Sequence, residues 1–415
     1  MLSMTSPTFQ DRLNSYAELL VRVGVNLQPG QKLMVRAGVE DAALVRKVVD
    51  VAYSLGSPYV EVFWADGPTT RSRFMNGPEG SFGIIPEYRA QGMIQLAEEG
   101  AASLAISSED PDLLAGVNPE NFATFQAAWR QAVRPYMNLS MSDKIAWCVA
   151  GAASPGWATK AFPDLPEAEA VEALWQAIFT ATRITTADPV GEWHKHNEQL
   201  RASKEKLNAR NYAAVHFRGP GTDLRVGLAD GHRWDGGVSH TPQGNPFVAN
   251  MPTEEVFTAP HSQRVDGVVR ASMPLSYNGN LIDDFTLTFE GGKVVKAVAG
   301  KGQAVLDSIL DSDEGARRLG EVALVPASSP IAQAGILFLN TLFDENAASH
   351  IALGRGYEFT VRGSSDMSDD DKRATGLNDS SVHVDFMIGS AEMDVDGVTQ
   401  DGTAEPLMRS GAWAN

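Results

Sequence analysis

Hydrophobic and polar positions follow two different periods along the chain, and the change between them divides it into two parts. In the first part, the helical patterns SYAELLVRVGV and VEDAALVRKVVDVAYSLG alternate with the short apolar runs QKLMVRAG and PYVEVFWAD. Strand, helix and strand joined by short connections form a βαβ unit. The pattern therefore predicts a parallel sheet with helices on its faces.

The second part is richer in short strands. AAVHFRGPGTDLRVGL reads as strand, turn and strand, DDFTLTFEGGKVVKAVAG as a hairpin across Gly291 and Gly292, and EFTVRG and VHVDFMIG as further strands. We expect an α/β N-terminal domain with a parallel sheet over residues 1–190. A β-rich α+β C-terminal domain follows over residues 191–415, and this second domain is where we expect a two-metal site, for the reasons below.

Composition and charge narrow the class of protein. The 415 residues are 43% hydrophobic and 21% charged, with a formal net charge of −18, so nucleic acid and anionic membrane surfaces are poor partners. No run approaches the roughly 18 apolar residues of a membrane helix, and the first twenty residues lack the layout of a signal peptide. Cys148 is the single cysteine, which excludes an internal disulfide and favours the cytoplasm.

The stretch SSVHVDFMIG carries unusual chemistry for a strand. Strict alternation puts His383 and Asp385 on one face and Val382, Val384 and Phe386 on the other. An imidazole and a carboxylate therefore lie side by side at a strand that borders apolar residues.

Acids and histidines lie beside apolar runs at three further places, in NMPTEEVFTAPH, LGEVALVP and LNTLFDENAASHIALGRGY. Taken singly, each has a structural interpretation: adjacent glutamates are usually solvated, Glu321 can end an exposed turn, and His350 can cap a helix begun by Asp344. Taken together, these places favour a metal site, because a buried carboxylate is energetically unfavourable unless it is paired or binds a metal.

Carboxylates mixed with imidazoles suit Zn, Mn or Co, and a shared carboxylate can hold two ions roughly 3.5–4 Å apart. The acids are too many for one three-ligand zinc site, and the HExxH signature is missing. Two divalent metal ions (Zn, Co or Mn) are the better hypothesis.

These four motifs, in their order and spacing, resemble those of the thermophilic-type metalloaminopeptidases, peptidase family M29, the aminopeptidase T and aminopeptidase S group. LNARNYAAVHFRGPGTDLRVGL and RWDGG are also similar to that family, while the N-terminal half resembles it in layout only. The resemblance implies metal ligands at Glu255, Glu321, Glu345, His350, His383 and Asp385. It makes Tyr357 the active-site tyrosine, for which a packing role is the alternative. The ligand is Glu255 by spacing, with Glu254 as the one-residue alternative.

The implied reaction is hydrolysis of the N-terminal residue from short peptides by a water that two metals activate. Glu254 is a candidate to accept the proton of that water or to bind the free ammonium group of the peptide. The resemblance also implies a homodimer that encloses the site.

Two rival functions remain open from the sequence. A mononuclear iron ring-cleaving dioxygenase would use His350, His383 and one acid as a triad, and would leave the other acids without a partner. A non-catalytic, metal-stabilised binding protein is the second rival, and the presence of Tyr357 beside a full ligand set argues against it.

Overall fold

The computed structural model describes residues 7–277 and 280–414. Residues 1–6, which begin the segment judged not to be a signal peptide, lie outside the described residues. The helices are α1 Phe9–Leu19, α2 Ala42–Ser54, α3 Gly67–Asn76, α4 Glu87–Glu98, α5 Pro119–Ala132, α6 Arg134–Met141, α7 Pro155–Ala161, α8 Glu167–Ala181, α9 Pro189–Arg210, α10 Gln303–Leu310, α11 Pro330–Ala334, α12 Thr341–Asp344 and α13 Asp369–Ala374.

The strands are β1 Leu33–Gly38, β2 Val60–Ala65, β3 Ala102–Ser107, β4 Trp147–Gly151, β5 Ala214–Gly219, β6 Thr222–Leu228, β7 Val238–His240, β8 Pro246–Val248, β9 Asn250–Met251, β10 Val256–Thr258, β11 Pro260–Arg270, β12 Leu275–Tyr277, β13 Asn280–Glu290, β14 Lys293–Lys301, β15 Leu319–Leu324, β16 His350–Gly354, β17 His383–Met387, β18 Asp394–Val398, β19 Ala404–Arg409 and β20 Ala412–Trp413. One π-helical segment, Leu20–Gly24, continues α1, and short 3-10 segments connect several other elements.

The N-terminal sheet is parallel, as the alternating pattern predicts. Its strands follow the order β2-β1-β3-β4-β9, and each pairs with its neighbour in parallel. The helices begin with local signals: Thr8 and Asp11 form a capping box at the start of α1. Strand β1 is buried along most of its length, which explains its continuous apolar run.

The chain forms two compact units. The first contains residues 1–196 and 238–252, and the second contains residues 197–237 and 253–415. The chain therefore passes between the units three times, first within α9, and the segment with β7, β8 and β9 belongs to the first unit. The limits 1–190 for an α/β N-terminal domain and 191–415 for a metal-binding catalytic domain stay a prediction.

The second unit packs two antiparallel sheets against each other. One has β10-β15-β16-β17, and the other runs β12-β13-β11-β6-β5-β18-β19-β20 with β14 added beside β13. Buried side chains from both sheets share one core, and the rings of Phe285 and Phe386 lie 5.1 Å apart across it. The four-stranded sheet thus has one face on the core, and its other face is available for polar side chains.

Local predictions in this unit are mostly confirmed. The hairpin across Gly291 and Gly292 forms between β13 and β14, and both glycines have positive φ, which favours glycine there. The strand predicted for EFTVRG is wrong. Residues Glu358–Thr360 form a 3-10 turn instead, because the amide groups of Thr360 and Val361 donate to carbonyls three residues back rather than to another strand.

Candidate metal centre

The polar face of the four-stranded sheet gathers the predicted site residues. In an antiparallel pair, residues opposite each other point to the same side of the sheet. Glu321 on β15 and Asp385 on β17 both lie opposite Ala352 on the central strand β16, and His383 lies opposite Gly354. His350, two residues before Ala352, shares that face. The small side chain of Ala352 leaves room between the ligands, and the missing side chain of Gly354 lets the backbone of Val382 approach, since a Cβ there would lie 2.1 Å from the Val382 carbonyl oxygen.

Strand β17 explains the alternation in SSVHVDFMIG. Val384 and Phe386 are buried in the core between the sheets, while His383 and Asp385 face the opposite side with side chains 21% and 11% exposed. The predicted division of this strand into an apolar and a polar face is present in the structure.

Glu254 and Glu255 lie on the segment that leads into β10. Both are buried, and the backbone N–H of Glu254 donates to Oδ1 of Asn346 at 2.7 Å. It is Glu255 whose carboxylate joins the other acids and imidazoles, since its Oε2 lies 3.2 Å from Nε2 of His350.

The ligand atoms fall into two groups that share one residue. Glu255, Glu321 and His350 form the first group, and Glu321, His383 and Asp385 form the second; within each group, one atom of every residue lies within 4.8 Å of the others. Oε1 of Glu321 is 3.7 Å from Nε2 of His350, and Oε2 of Glu321 is 3.6 Å from Nε2 of His383. The two oxygens of the Glu321 carboxylate therefore face different groups of ligand atoms.

Both imidazoles are held by main-chain carbonyls on their other nitrogen. Nδ1 of His350 lies 3.1 Å from the carbonyl oxygen of Ala348, and Nδ1 of His383 lies 2.7 Å from that of Arg355. A proton on Nδ1 that donates to a carbonyl leaves Nε2 free to act as a ligand. In both residues Nε2 faces the carboxylates.

The donor set fits divalent cations. Oε2 of Glu255 and Oε2 of Glu321 are buried, and neither accepts a hydrogen bond from any residue that the structure describes. An ionised oxygen without a partner in the interior is unfavourable, and a bound cation would remove that cost. Carboxylate oxygens combined with imidazole nitrogens suit Zn, Mn or Co.

The titration of the cluster reflects its excess of acids. Burial raises the pKa of the Glu321 carboxyl to about 7, and the nearby charges of Asp385 and Glu255 add to this effect. Burial disfavours the protonated form of His383, but Asp385 and then Glu321 outweigh it and raise the pKa of this imidazole to about 9. The raised pKa values follow from the burial of several carboxylates around only two imidazoles.

Glu345 and Asp344 differ in their surroundings. Burial and then the charges of Glu255 and Asp385 raise the pKa of Glu345 well above its usual range, so its carboxyl lies in the field of the cluster. Asp344 instead accepts hydrogen bonds from the backbone N–H groups of Phe338 and Asn340, at 2.7 and 3.1 Å. Asp344 holds its own loop, whereas Glu345 lies in the electrostatic field of the cluster but belongs to neither of the two groups of ligand atoms.

Tyr357 lies against the second group. Its ring centroid is 4.7 Å from that of His383, and it stacks on Phe359 at 5.4 Å. Burial and the surrounding carboxylates raise the pKa of the Tyr357 hydroxyl above its usual value. The hydroxyl therefore keeps its proton at neutral pH and is available as a donor.

Comparison with known proteins decides the family. The profile of the thermophilic metalloprotease family (M29) matches residues 9–413. The chain belongs to the M29 family. Among its M29 relatives, aminopeptidase AmpS of Bacillus subtilis (strain 168) is 47% identical over 98% of this chain and 99% of its own length, and aminopeptidase T of Thermus aquaticus is 49% identical over 98% and 99%. The solved structure of wild-type AmpT from Thermus thermophilus has a TM-score of 0.93 and 47% identity, and covers 98% of this chain and 100% of that one.

These M29 relatives confirm both the family and the enzyme class predicted from the sequence, a metal-dependent aminopeptidase. None of the relatives named above is described as a dioxygenase. Among the described residues, no helix is both long and apolar enough to cross a membrane.

The structure also adds residues that the motifs did not reveal. The carbonyl of Arg355 orients His383, and a main-chain atom leaves no trace in the residue types. Asn346 and Asn378 are buried beside the cluster. Asn346 directly follows Glu345 in the third motif, so its position in the sequence was the available signal.

Proposed function

We propose that this M29 enzyme removes the N-terminal residue from short peptides with two divalent ions, Zn, Co or Mn. The proposed ligands are Glu255, Glu321, Glu345, His350, His383 and Asp385. The observation that carries the proposal is the shared carboxylate of Glu321, which belongs to both groups of ligand atoms and has a buried oxygen without a hydrogen bond from the described residues.

When bound, the ions supply Lewis-acid chemistry: they lower the pKa of water towards ~7 and polarise the scissile carbonyl. The residues of the chain do the rest. Tyr357, held in its protonated form, donates to the oxyanion that develops in the transition state, an interaction that is weaker in the ground state. Glu254 accepts the proton of the attacking water or binds the free ammonium group of the substrate.

The arrangement of the histidines does not favour the iron dioxygenase alternative. His350 and His383 belong to different groups of ligand atoms in the described residues, rather than to one triad with a single carboxylate. Each imidazole instead faces two carboxylates.

The decisive experiment measures hydrolysis of aminoacyl-nitroanilides by metal-stripped protein that receives Zn²⁺, Co²⁺, Mn²⁺ or Fe²⁺ in turn, together with the metal content per chain. We expect two ions per chain and restored turnover with at least one of the first three. A single iron with full activity, or two ions without turnover, would contradict the proposal.

For the whole protein we propose a cytoplasmic homodimer, with neither nucleic acid nor membrane as a partner. The single buried Cys148 and the net charge of −18 support these choices. An open two-metal hydrolase would attack flexible N-termini of other proteins, so a dimer that restricts access suits an enzyme of short peptides.

A further inference from the structure

The proposed ligands differ in how the fold holds them. Glu321, His350, His383 and Asp385 lie on paired strands, where sheet hydrogen bonds fix the backbone. Glu255 lies before β10 begins, and Glu345 starts a short 3-10 segment. Contacts other than sheet hydrogen bonds must therefore fix the backbone at Glu255 and Glu345.

Asn346 makes that connection on the side of the first ligand group. It is fully buried; its Oδ1 accepts from the backbone N–H of Glu254 at 2.7 Å, and its Nδ2 donates to the carbonyl of Leu342 at 3.0 Å. Its own carbonyl accepts from Oγ of Ser329 at 2.9 Å. The side chain of Asn346, which follows Glu345, thus links that segment to the backbone of Glu254, which precedes Glu255.

Asn378 plays the corresponding part on the side of the second group. Its Nδ2 donates to the carbonyls of Gly315 and Gly354 at 2.8 and 2.6 Å, and its carbonyl accepts from the N–H of Gly356 at 2.9 Å. These bonds bracket Arg355, whose carbonyl holds Nδ1 of His383 at 2.7 Å. Asn378 therefore fixes the turn that orients this imidazole.

We propose that these two buried asparagines are positioning residues, each for one half of the metal centre. Asn346 positions Glu255 in the first ligand group, and Asn378 positions the imidazole of His383 in the second. The inference rests on the metal ligands of the proposed function and adds which residue governs which ion.

The two asparagines support the centre through different hydrogen bonds. Asn346 accepts from Glu254, a role that a carboxylate can also fill, whereas its donation to the carbonyl of Leu342 is one that a carboxylate cannot make. Asn378 supports its turn as a donor to two carbonyls, a role that a carboxylate cannot fill. Replacement by aspartate should therefore separate them.

The experiment titrates full-length, metal-stripped protein with Zn²⁺ in competition with a chromophoric chelator. Each asparagine is changed to alanine in two backgrounds, Asp385→Ala, which leaves the first group, and Glu255→Ala, which leaves the second. We expect Asn346→Ala to weaken the remaining zinc roughly 10–100-fold in the first background, the range for losing a partner of a ligand, and less than about threefold in the second. Asn378→Ala should give the reverse pattern.

Conservative variants and a structural control complete the test. Asn346→Asp keeps the bond from Glu254 and loses the one to Leu342, so it should weaken zinc affinity less than Asn346→Ala does, while Asn378→Asp should weaken it as much as alanine does; this pair also serves if an alanine variant does not fold. Tyr212→Phe removes a hydrogen bond to Glu405 elsewhere in the second unit, and should lower stability without changing zinc affinity.

Equal effects of both asparagines in both backgrounds, or no effect of either, would overturn the positioning roles while the metal centre stands. Wild-type protein that binds no zinc would overturn the metal centre, and this inference with it.

Discussion

Glu321 is the residue on which both ligand groups depend, since each of its carboxylate oxygens faces a different histidine. We expect Glu321→Gln to lose both ions, because the neutral amide weakens both groups at once. Glu255→Gln should lose one ion, since Glu255 belongs to the first group alone. Metal analysis of the two purified variants checks this, and equal loss of one ion from each would show that Glu321 does not bridge.

Tyr357 is the second residue whose role can be separated from folding. Tyr357→Phe keeps the ring that packs on His383 and Phe359 and removes only the hydroxyl. We expect unchanged metal content and KM, and a kcat lower by roughly 10²–10³, the range for losing one oxyanion donor. Steady-state kinetics measure this, and an unchanged kcat would leave Tyr357 with a packing role.

At the scale of single elements, alternate residues of β16 face the metal site and the core. Ala352 lies between Glu321 and Asp385, and Leu353 points into the core. Ala352→Leu should fill the space between the ligands and abolish zinc binding, with a loss of about 1–3 kcal/mol of stability from overpacking a buried position. Leu353→Ala should cost about 2–5 kcal/mol of stability and keep zinc binding. Calorimetry and metal analysis of both variants test the contrast, and zinc retained by Ala352→Leu would contradict it.

The carboxylate of Asp313 fixes the segment before β17 through hydrogen bonds. Asp313 accepts from Oγ and the backbone N–H of Ser381, from Oγ of Ser380 and from the backbone N–H of Ala316. Although burial acts in the opposite direction, these bonds lower the pKa of Asp313 to about 2. A carboxyl with a depressed pKa contributes stability above its ordinary value near 3.8, and loses it as the pH falls towards 2.

Asp313→Ala should therefore lower the urea midpoint at pH 6, and the difference from the wild type should shrink between pH 4 and pH 2. Urea titrations across this range measure it. A difference that does not depend on pH would show that the charge of Asp313 contributes nothing. Ser312→Ala, next to it, is the matched control with no expected pH dependence.

The sequence predicted elements where one local pattern dominates. Alternation identified β17 and both of its faces, and the glycine pair identified the hairpin of β13 and β14. It failed for EFTVRG, because short apolar alternation does not distinguish a strand from a turn that bonds to itself. The Arg355 carbonyl and the amide of Asn378 could not be predicted, because their roles depend on which distant segments meet, and for Asn346 the sequence offered only its position next to Glu345.

At the scale of the whole molecule, the second unit supplies every proposed ligand, while the first is a parallel α/β unit. We propose that the first unit restricts access to the site in the proposed homodimer. Light scattering under active conditions should report twice the chain mass of 44.6 kDa. A monomer with full activity would contradict the dimer, and rapid trimming of intact folded proteins would contradict an enclosed site.

The alternation along β17 has a further consequence for judging whether a sample of the protein is correctly folded. A slip of one residue in its pairing with β16 would turn His383 and Asp385 into the apolar core and expose Val384 and Phe386 on the polar face. Such a misfolded molecule would lose both the packing of its core and its metal site. Turnover therefore requires correct pairing of β17 with β16, and the activity of a refolded sample at saturating metal measures the fraction of correctly folded chains.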